Sequence, residues 1–374
     1  MRYYDVRAGE REYLPFGKGQ VVKIALLHNS NRDGDVDIRE FATDLTVTGI
    51  TRALSVSHKV QPIDCRRNIE MWLDDLTQFA PDLIFSLAEG YPSAAREAFY
   101  PALYEQLGIP YCGSDPTTLL ITHNKALTER IVEAAGLTVP WSATMSCEED
   151  IVYFRDKLPF PVIVKPNSEG SSIGIDERAV AHTIDEVHDR VNAIWNRFCT
   201  LALVEEYISP GVDCSMSFVE GLGADGVFGP VVYAYPEGEV FSYELKSRSY
   251  AQSILSFPET ITAEIAIQLH DDMLRAVHAL DVRGYGRADF RVVPGGSCYF
   301  IEMNGQPQEM GPKRSDFMAP VLRAGYAYEK VVLHIAEYAA AKAPRRPSAA
   351  GLQPQELIVQ RTGIGVGHKV QNDQ

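Results

Sequence analysis

The sequence predicts an α/β chain that passes into an α+β arrangement, and three observations carry that expectation. Two apolar runs, Val21-Val-Lys-Ile-Ala-Leu-Leu27 and Pro81-Asp-Leu-Ile-Phe-Ser-Leu87, alternate with helical patterns over 38–58 and 93–107. Apolar strands separated by helices read as a parallel sheet covered on both faces. Farther along, strands dominate: residues 211–305 read as strand-rich with one helix over 261–280.

Residues 1–20 are polar and rich in Tyr, Gly and Arg, and read as an extension that packs on a surface or frays. Gly108-Ile-Pro-Tyr-Cys-Gly-Ser114 reads as a short strand ending in turn residues, and 115–140 as one helix stopped by Gly136 and Pro140. Residues 141–220 form a smaller α+β unit with a strand over 161–165, a helix over 183–198 and a strand over 201–208. Residues 316–342 are helical. From Ala343 the chain turns Pro-, Arg-, Ser- and Gln-rich, the composition of an extended or disordered tail. The expected division is an extension (1–20), an N-terminal α/β domain (21–120), a central domain (121–212), a C-terminal domain (213–342) and a tail (343–374).

A length of 374 residues suits two or three domains, and 45% apolar with 23% charged residues is ordinary for a globular protein. A net charge of −15 argues against a nucleic-acid partner, whose phosphates demand basic patches, and reads as solubility. Cys65, Cys112, Cys147, Cys199, Cys214 and Cys298 are scattered, with no C-x-x-C pair. That spacing disfavours a zinc site or a disulfide framework. No apolar run is long enough to span a membrane, and the N-terminus lacks an apolar signal core, so a cytoplasmic protein is expected.

Chemistry concentrates in two segments. In Pro161-Val-Ile-Val-Lys165-Pro166-Asn-Ser-Glu169-Gly170-Ser171-Ser172-Ile-Gly174, an apolar strand delivers a lysine and runs into a small-residue loop. Lys165 suits an anion, or else snorkels to the surface. The loop amides can face a polyphosphate, or the loop is a plain hairpin turn. There is no Walker pattern. In the second segment, Arg287-Ala-Asp289 is followed by Glu302-Met-Asn304. Glu302 and Asn304 alternate on one strand and share a face. Two carboxylates and a carboxamide suit one or two Mg²⁺ ions bridging the phosphates of ATP; the other reading is a structural Arg287–Asp289 pair. Leu203-Val-Glu205-Glu206-Tyr207-Ile208 leads through a Gly/Pro turn to Asp213, which fits an adenine and ribose contact or an ordinary hinge.

The order of these motifs resembles the ATP-grasp superfamily, and within it the D-alanine–D-alanine ligase-like branch. The matching text is Leu87-Ala-Glu-Gly90, Leu107-Gly-Ile-Pro-Tyr-Cys-Gly-Ser114, Asn124-Lys125-Ala-Leu-Thr, Gly136-Leu-Thr-Val-Pro140, the 160–174 segment, Val204-Glu-Glu-Tyr-Ile208, Tyr243-Glu-Leu-Lys246, Gly286-Arg-Ala-Asp-Phe290 and Ile301-Glu-Met-Asn304. The resemblance covers roughly residues 21–340. It implies a three-domain ATP-grasp fold: a Rossmann-like parallel sheet, a small central α+β domain and a C-terminal mixed-sheet domain. It implies ATP with two Mg²⁺ ions (Mn²⁺ being the alternative ion), an acyl-phosphate intermediate, and a homodimer. The donor is a small-molecule carboxylate and the acceptor an amine, joined as an amide with release of ADP and phosphate.

By the same resemblance, Lys125 and Lys165 hold the ATP phosphates, Ser171 and Ser172 lie in the matching glycine-rich loop with Ser171 toward ATP and Ser172 catalytic, and Lys246, also catalytic, contacts the phosphates from a mobile loop. Glu205, Glu206, Tyr207 and Ile208 form the adenine hinge, and Asp213 lies near the ribose position. Arg287 stabilises the tetrahedral intermediate, and Asp289, Glu302 and Asn304 hold metal. The substrate end departs from the pattern. Glu89 stands where the family has histidine, in a position toward substrate, and Ser247 where it usually has tyrosine. A glutamate that holds the first amino group has no clear counterpart, though Asp33, Asp35, Asp37 and Asp44 are nearby. After Asn304 the acceptor segment is longer and carries Lys313 and Arg314, which fit an anionic acceptor or are solvated surface cations. The reading is a ligase other than a housekeeping D-Ala–D-Ala ligase. The alternatives are that ligase itself, a kinase that stops at phosphoryl transfer, or a non-catalytic nucleotide-binding module.

Overall fold

The computed structural model describes residues 20–29, 41–90, 93–170, 172–233, 255–256, 261–312 and 315–342. The expected tail, and all of the expected extension but Gln20, lie outside them. The first sheet is parallel, in the order β2-β1-β3: β1 is Lys23–His28, β2 Lys59–Asp64 and β3 Leu83–Leu87. Its side chains alternate between faces. Ile24, Leu26 and Phe85 pack with helices Asp44–Leu54 and Tyr328–Lys342. Ala25, Leu27 and Ile84 pack with Trp72, Leu76 and Tyr104 of helices Ile69–Phe79 and Arg96–Leu107.

Strand β2 has no counterpart in the apolar pattern. It is a partly exposed edge strand, and Pro62 sits within it, as edge positions allow. Residues 108–114 give only a single parallel bridge, Ile84 to Tyr111, in place of the expected strand. The single helix expected over 115–140 is two, Pro116–His123 and Lys125–Ala134. Asn124 breaks it with extended backbone (φ −99°, ψ 95°), and its side chain caps the second helix by accepting from the Leu127 amide.

The second sheet is antiparallel in the order β4-β7-β5-β6: β4 Ser142–Met145, β5 Val162–Pro166, β6 Val180–Ala181 and β7 Ala202–Glu206. Val162, Val164, Ala202 and Val204 enter a core with helices Glu148–Phe154 and Ile184–Phe198. Alternation sends Lys165 and Glu205 to the opposite face.

The third sheet, also antiparallel, runs β10-β9-β8-β11-β12: β8 Val212–Val219, β9 Val227–Tyr233, β10 Leu255–Ser256, β11 Tyr285–Val292 and β12 Cys298–Asn304. Met216, Ala288, Phe290, Cys298 and Phe300 pack with Leu269, Met273 and Ala276 of helix Ala263–Leu280. Arg287, Asp289 and Arg291 therefore stand on the other face. Between β11 and β12 the register shifts: Asp289 pairs with Glu302, but Phe290 pairs with Phe300. Ile301 is the extra residue of this bulge, and beyond it the parity of β12 inverts. Met303 joins Phe300 in the core, and Glu302 and Asn304 turn outward.

Candidate active site

The outward faces of the second and third sheets enclose a cleft of about 1050 Å³, counting its open mouth. Lys165 enters from β5. It is buried at 4% exposure, so the snorkelling alternative is not realised, and its Nζ lies 2.7 Å from Glu205 Oε1. Lys165 pairs with Leu203 and Glu205 with Ile163, which makes the two ions diagonal neighbours on one sheet face. Burial works to lower the lysine pKa, but Glu205 and Glu129 raise it above its ordinary value. Glu129, one turn into helix Lys125–Ala134, is pushed up to about 9 by burial and by Glu205 beside it. Lys165, Glu205 and the raised Glu129 carboxyl thus meet at this end.

Glu205, Glu206, Tyr207 and Ile208 all line the cleft. The Glu206 amide donates to Trp141 O at 2.8 Å and the Tyr207 amide to Pro161 O at 2.9 Å, which fixes the exit of β7. Asp213 lines the same end, with Arg291 Nη1 donating to its Oδ1 at 2.6 Å. Arg291 also lies over the Tyr207 ring, 5.2 Å from its centre. Ser172 lines the cleft from the loop after β5, with φ +57°. At Gly174 φ is +80°, and a Cβ would stand 2.7 Å from Pro166 Cγ, so the loop closes onto its strand only with glycine there.

At the other end stands a charged cluster. Lys125 Nζ donates to Glu169 O at 2.6 Å and lies 3.2 Å from Glu302 Oε2. Arg287 grips Asp289 with two parallel bonds, Nε to Oδ1 at 2.9 Å and Nη2 to Oδ2 at 2.8 Å, while Nη1 donates to Asp316 Oδ2 at 2.9 Å. The Arg–Asp pair admitted from sequence is thus formed. Among the described residues these bonds use three of the five guanidinium N–H groups. Burial raises the Asp289 carboxyl to about 6, Arg287 opposes the rise, and Glu302 adds to it. Burial also acts to raise Glu302, but Lys125 and Arg287 together hold it below the usual carboxylate range. Glu302 therefore stays ionised and repels charge on Asp289. Two partly buried carboxylates in mutual repulsion, with the Asn304 amide on the same face, form a hard-oxygen set that fits Mg²⁺ shared with phosphates. Among the described residues no group of three or more His, Cys, Asp or Glu has metal-binding geometry, so phosphate oxygens and water would complete the shell.

A second cleft opens toward the first sheet. Glu89, Glu97, His123, Asn304, Gln308 and Glu309 line it, and it shares Lys125, Glu169, Arg287 and Glu302 with the first. Glu89 is buried, and its amide donates to Asn29 Oδ1 at 2.6 Å. Arg96 reaches across to Glu169, Nη1 to Oε2 at 2.9 Å, tying the small-residue loop to the first sheet's helix. Asp44 is exposed in the first turn of its helix and lines neither cleft. Ser171, Lys246, Lys313, Arg314, Asp33, Asp35 and Asp37 lie outside the described residues. Sequence reasoning missed Glu97, His123, Glu129, Glu169, Arg291 and Asp316. Two carried a signal, Arg291 as the next outward position after Asp289 and Glu169 within the small-residue loop segment; the others arrive from separate elements. The six cysteines are unpaired, and no described helix is long and apolar enough to cross a membrane.

The family model for the D-ala D-ala ligase C-terminus matches residues 132–337. An uncharacterized protein of Sinorhizobium fredii is 27% identical over 69% of this chain and 74% of its own length. The D-alanine–D-alanine ligase of Aquifex aeolicus is 26% identical over 70% of this chain and 84% of its own. Among solved structures, the D-alanine–D-alanine ligase of Bacillus anthracis complexed with ATP superposes with a TM-score of 0.67 at 20% identity, covering 86% of this chain and 99% of that one. A D-Ala:D-Ser ligase of Enterococcus faecalis gives a TM-score of 0.62 at 18% identity, over 84% and 98% of the two chains. The fold, with its parallel sheet and two antiparallel sheets, is that of these ligases, and the chain belongs to the D-alanine–D-alanine ligase-like branch of the ATP-grasp enzymes, ATP-dependent ligases that form C–N bonds.

Proposed function

We propose that this protein joins a carboxylate donor to an amine acceptor through an acyl phosphate, releasing ADP and phosphate. The observation that carries the reading is the meeting of two clefts at Lys125, Arg287 and Glu302. The larger, with apolar walls at Ile163, Tyr207 and Ile301, suits a nucleotide. Its base would rest at Glu205 to Ile208 and its ribose near Asp213. Its phosphates would run past Lys165, Ser171 and Ser172 toward Lys125, with Lys246 closing over them. Asp289, Glu302 and Asn304 would hold Mg²⁺, which supplies charge neutralisation and orientation to the phosphates when bound. Phosphoryl transfer asks for positioning and positive charge, which the two lysines provide. The remaining Arg287 N–H groups are free to meet the oxyanion of a tetrahedral intermediate.

The substrates are proposed to differ from two D-alanines. Glu89, Glu97 and Glu309 make the second cleft acidic, and Lys313 and Arg314 follow it in sequence. The test is phosphate release from Mg-ATP with amino acids offered singly and in pairs, with mass spectrometry of the products. A product that needs two substrates and has an amide mass is expected. Phosphorylated single substrates would make the protein a kinase. Replacing Lys313 and Arg314 together by Ala is expected to raise the acceptor KM well above any change in that of ATP; equal KM values would remove them from the acceptor site.

A further inference from the structure

We infer that His123 and Glu97 form a catalytic dyad in which His123 Nε2 takes the proton from the attacking amine, an inference that rests on the ligase reading above. His123 ends helix Pro116–His123, and Glu97 lies in the first turn of helix Arg96–Leu107. His123 Nδ1 is 3.0 Å from Glu97 Oε1, and the imidazole is almost wholly buried. Burial works against the Glu97 charge, yet His123, Arg96 and Lys125 hold its carboxyl below the ordinary range. An ionised carboxylate only accepts, so Nδ1 carries the hydrogen, and in the neutral imidazole Nε2 is the atom with the lone pair. Among the described residues Nε2 is buried and takes no hydrogen-bond partner. A second buried acceptor, Gln308 Oε1, is open in the same way, and both side chains line the smaller cleft. Buried polar atoms left open at a cleft cost free energy unless a ligand fills them.

The chemistry supplies the need for a base. An amino-acid acceptor arrives as an ammonium, which has no lone pair. Glu89, Glu169 and Glu309 on the cleft walls favour that cationic form, while Lys125, Arg287 and the ionised Glu302 face the acyl phosphate. His123 Nε2 takes one proton from the ammonium. The freed lone pair forms the C–N bond to the acyl carbon, the bond from that carbon to the phosphate oxygen breaks, and its electron pair leaves with phosphate. The second proton leaves the nitrogen with the phosphate, and the imidazolium returns its own to water. Glu97 and the C-terminal end of the helix both stabilise the imidazolium while it lasts.

The test uses the full chain with Mg-ATP, D-alanine or each common L-amino acid as donor, and either an amino acid or hydroxylamine as acceptor. Hydroxylamine is uncharged at neutral pH and captures an acyl phosphate as a hydroxamate without a base. His123→Gln is expected to lower the ratio of amide to hydroxamate about 100-fold or more, and Glu97→Gln by a smaller factor. The ratio is independent of how much enzyme folds. A ratio within about threefold of wild type in both variants overturns the dyad. Wild-type protein that yields neither product overturns the ligase reading instead.

Discussion

At the scale of single residues, the site is a problem in charge held out of water. Glu302 is the residue on which both clefts depend, held ionised by Lys125 and Arg287 against its burial. Glu302→Gln keeps the shape and removes the charge. Turnover is expected to fall about 100-fold or more with an unchanged circular dichroism spectrum, and near-normal turnover would take Glu302 out of the site. Glu129 behaves in the opposite sense. Its folded-state pKa, about 9, exceeds the ordinary value of 4.5, so between those values the folded protein keeps a proton that the unfolded chain has lost. Its contribution is full below the ordinary value and is lost as pH rises through the folded one, at no more than about 1.4 kcal/mol per pH unit. Glu129→Gln should flatten the dependence of the urea midpoint on pH across that window. A variant as pH-dependent as wild type would show that Glu129 is ionised.

At the scale of elements, irregularities aim the side chains. The break at Asn124 starts a helix at Lys125, and Asn167 holds that start, its Oδ1 accepting from the Ala126 amide at 3.0 Å and its Nδ2 donating to Asn124 Oδ1 at 3.0 Å. The Ile301 bulge turns Glu302 and Asn304 out of the face that holds Cys298 and Phe300. The loop after β5 depends on Gly174, where Pro166 leaves no room for a Cβ and φ is positive. Gly174→Ala is expected to cost about 1–3 kcal/mol in chemical denaturation and to raise the KM for ATP several-fold. An unchanged KM would mean that the loop does not touch the nucleotide.

At the scale of the whole molecule, three sheets contribute to two clefts, so ligand and fold are coupled. Glu169 receives Arg96 from the first sheet's helix and, through its carbonyl, Lys125 from the helix beside β12. A nucleotide bound in the larger cleft would add contacts between the second and third sheets. Mg-ATP at 100 times its Kd is expected to stabilise the fold by about 2.7 kcal/mol, seen as a rise in Tm. Chelation of Mg²⁺, or Lys165→Ala, should shrink the rise; a Tm indifferent to Mg-ATP would exclude the cleft as its site.

The sequence by itself determined the buried strands that carry the site and their local chemistry. Lys165 closing an apolar strand and the outward alternation of Arg287, Asp289 and Arg291 follow from a period of two and from burial, which neighbouring residues alone dictate. The edge strand Lys59–Asp64 was not legible, because an edge strand exposed to water needs no apolar pattern. Glu302 was found for an incomplete reason. Strict alternation keeps it with Asn304 but places both on the face of Phe300, and only the bulge sends them to the cleft. Glu97 meeting His123, Glu129 meeting Glu205, and Asp316 meeting Arg287 were decided by tertiary structure alone. Each pair joins residues far apart in the chain, and no local period or propensity records which distant charges folding will bring together.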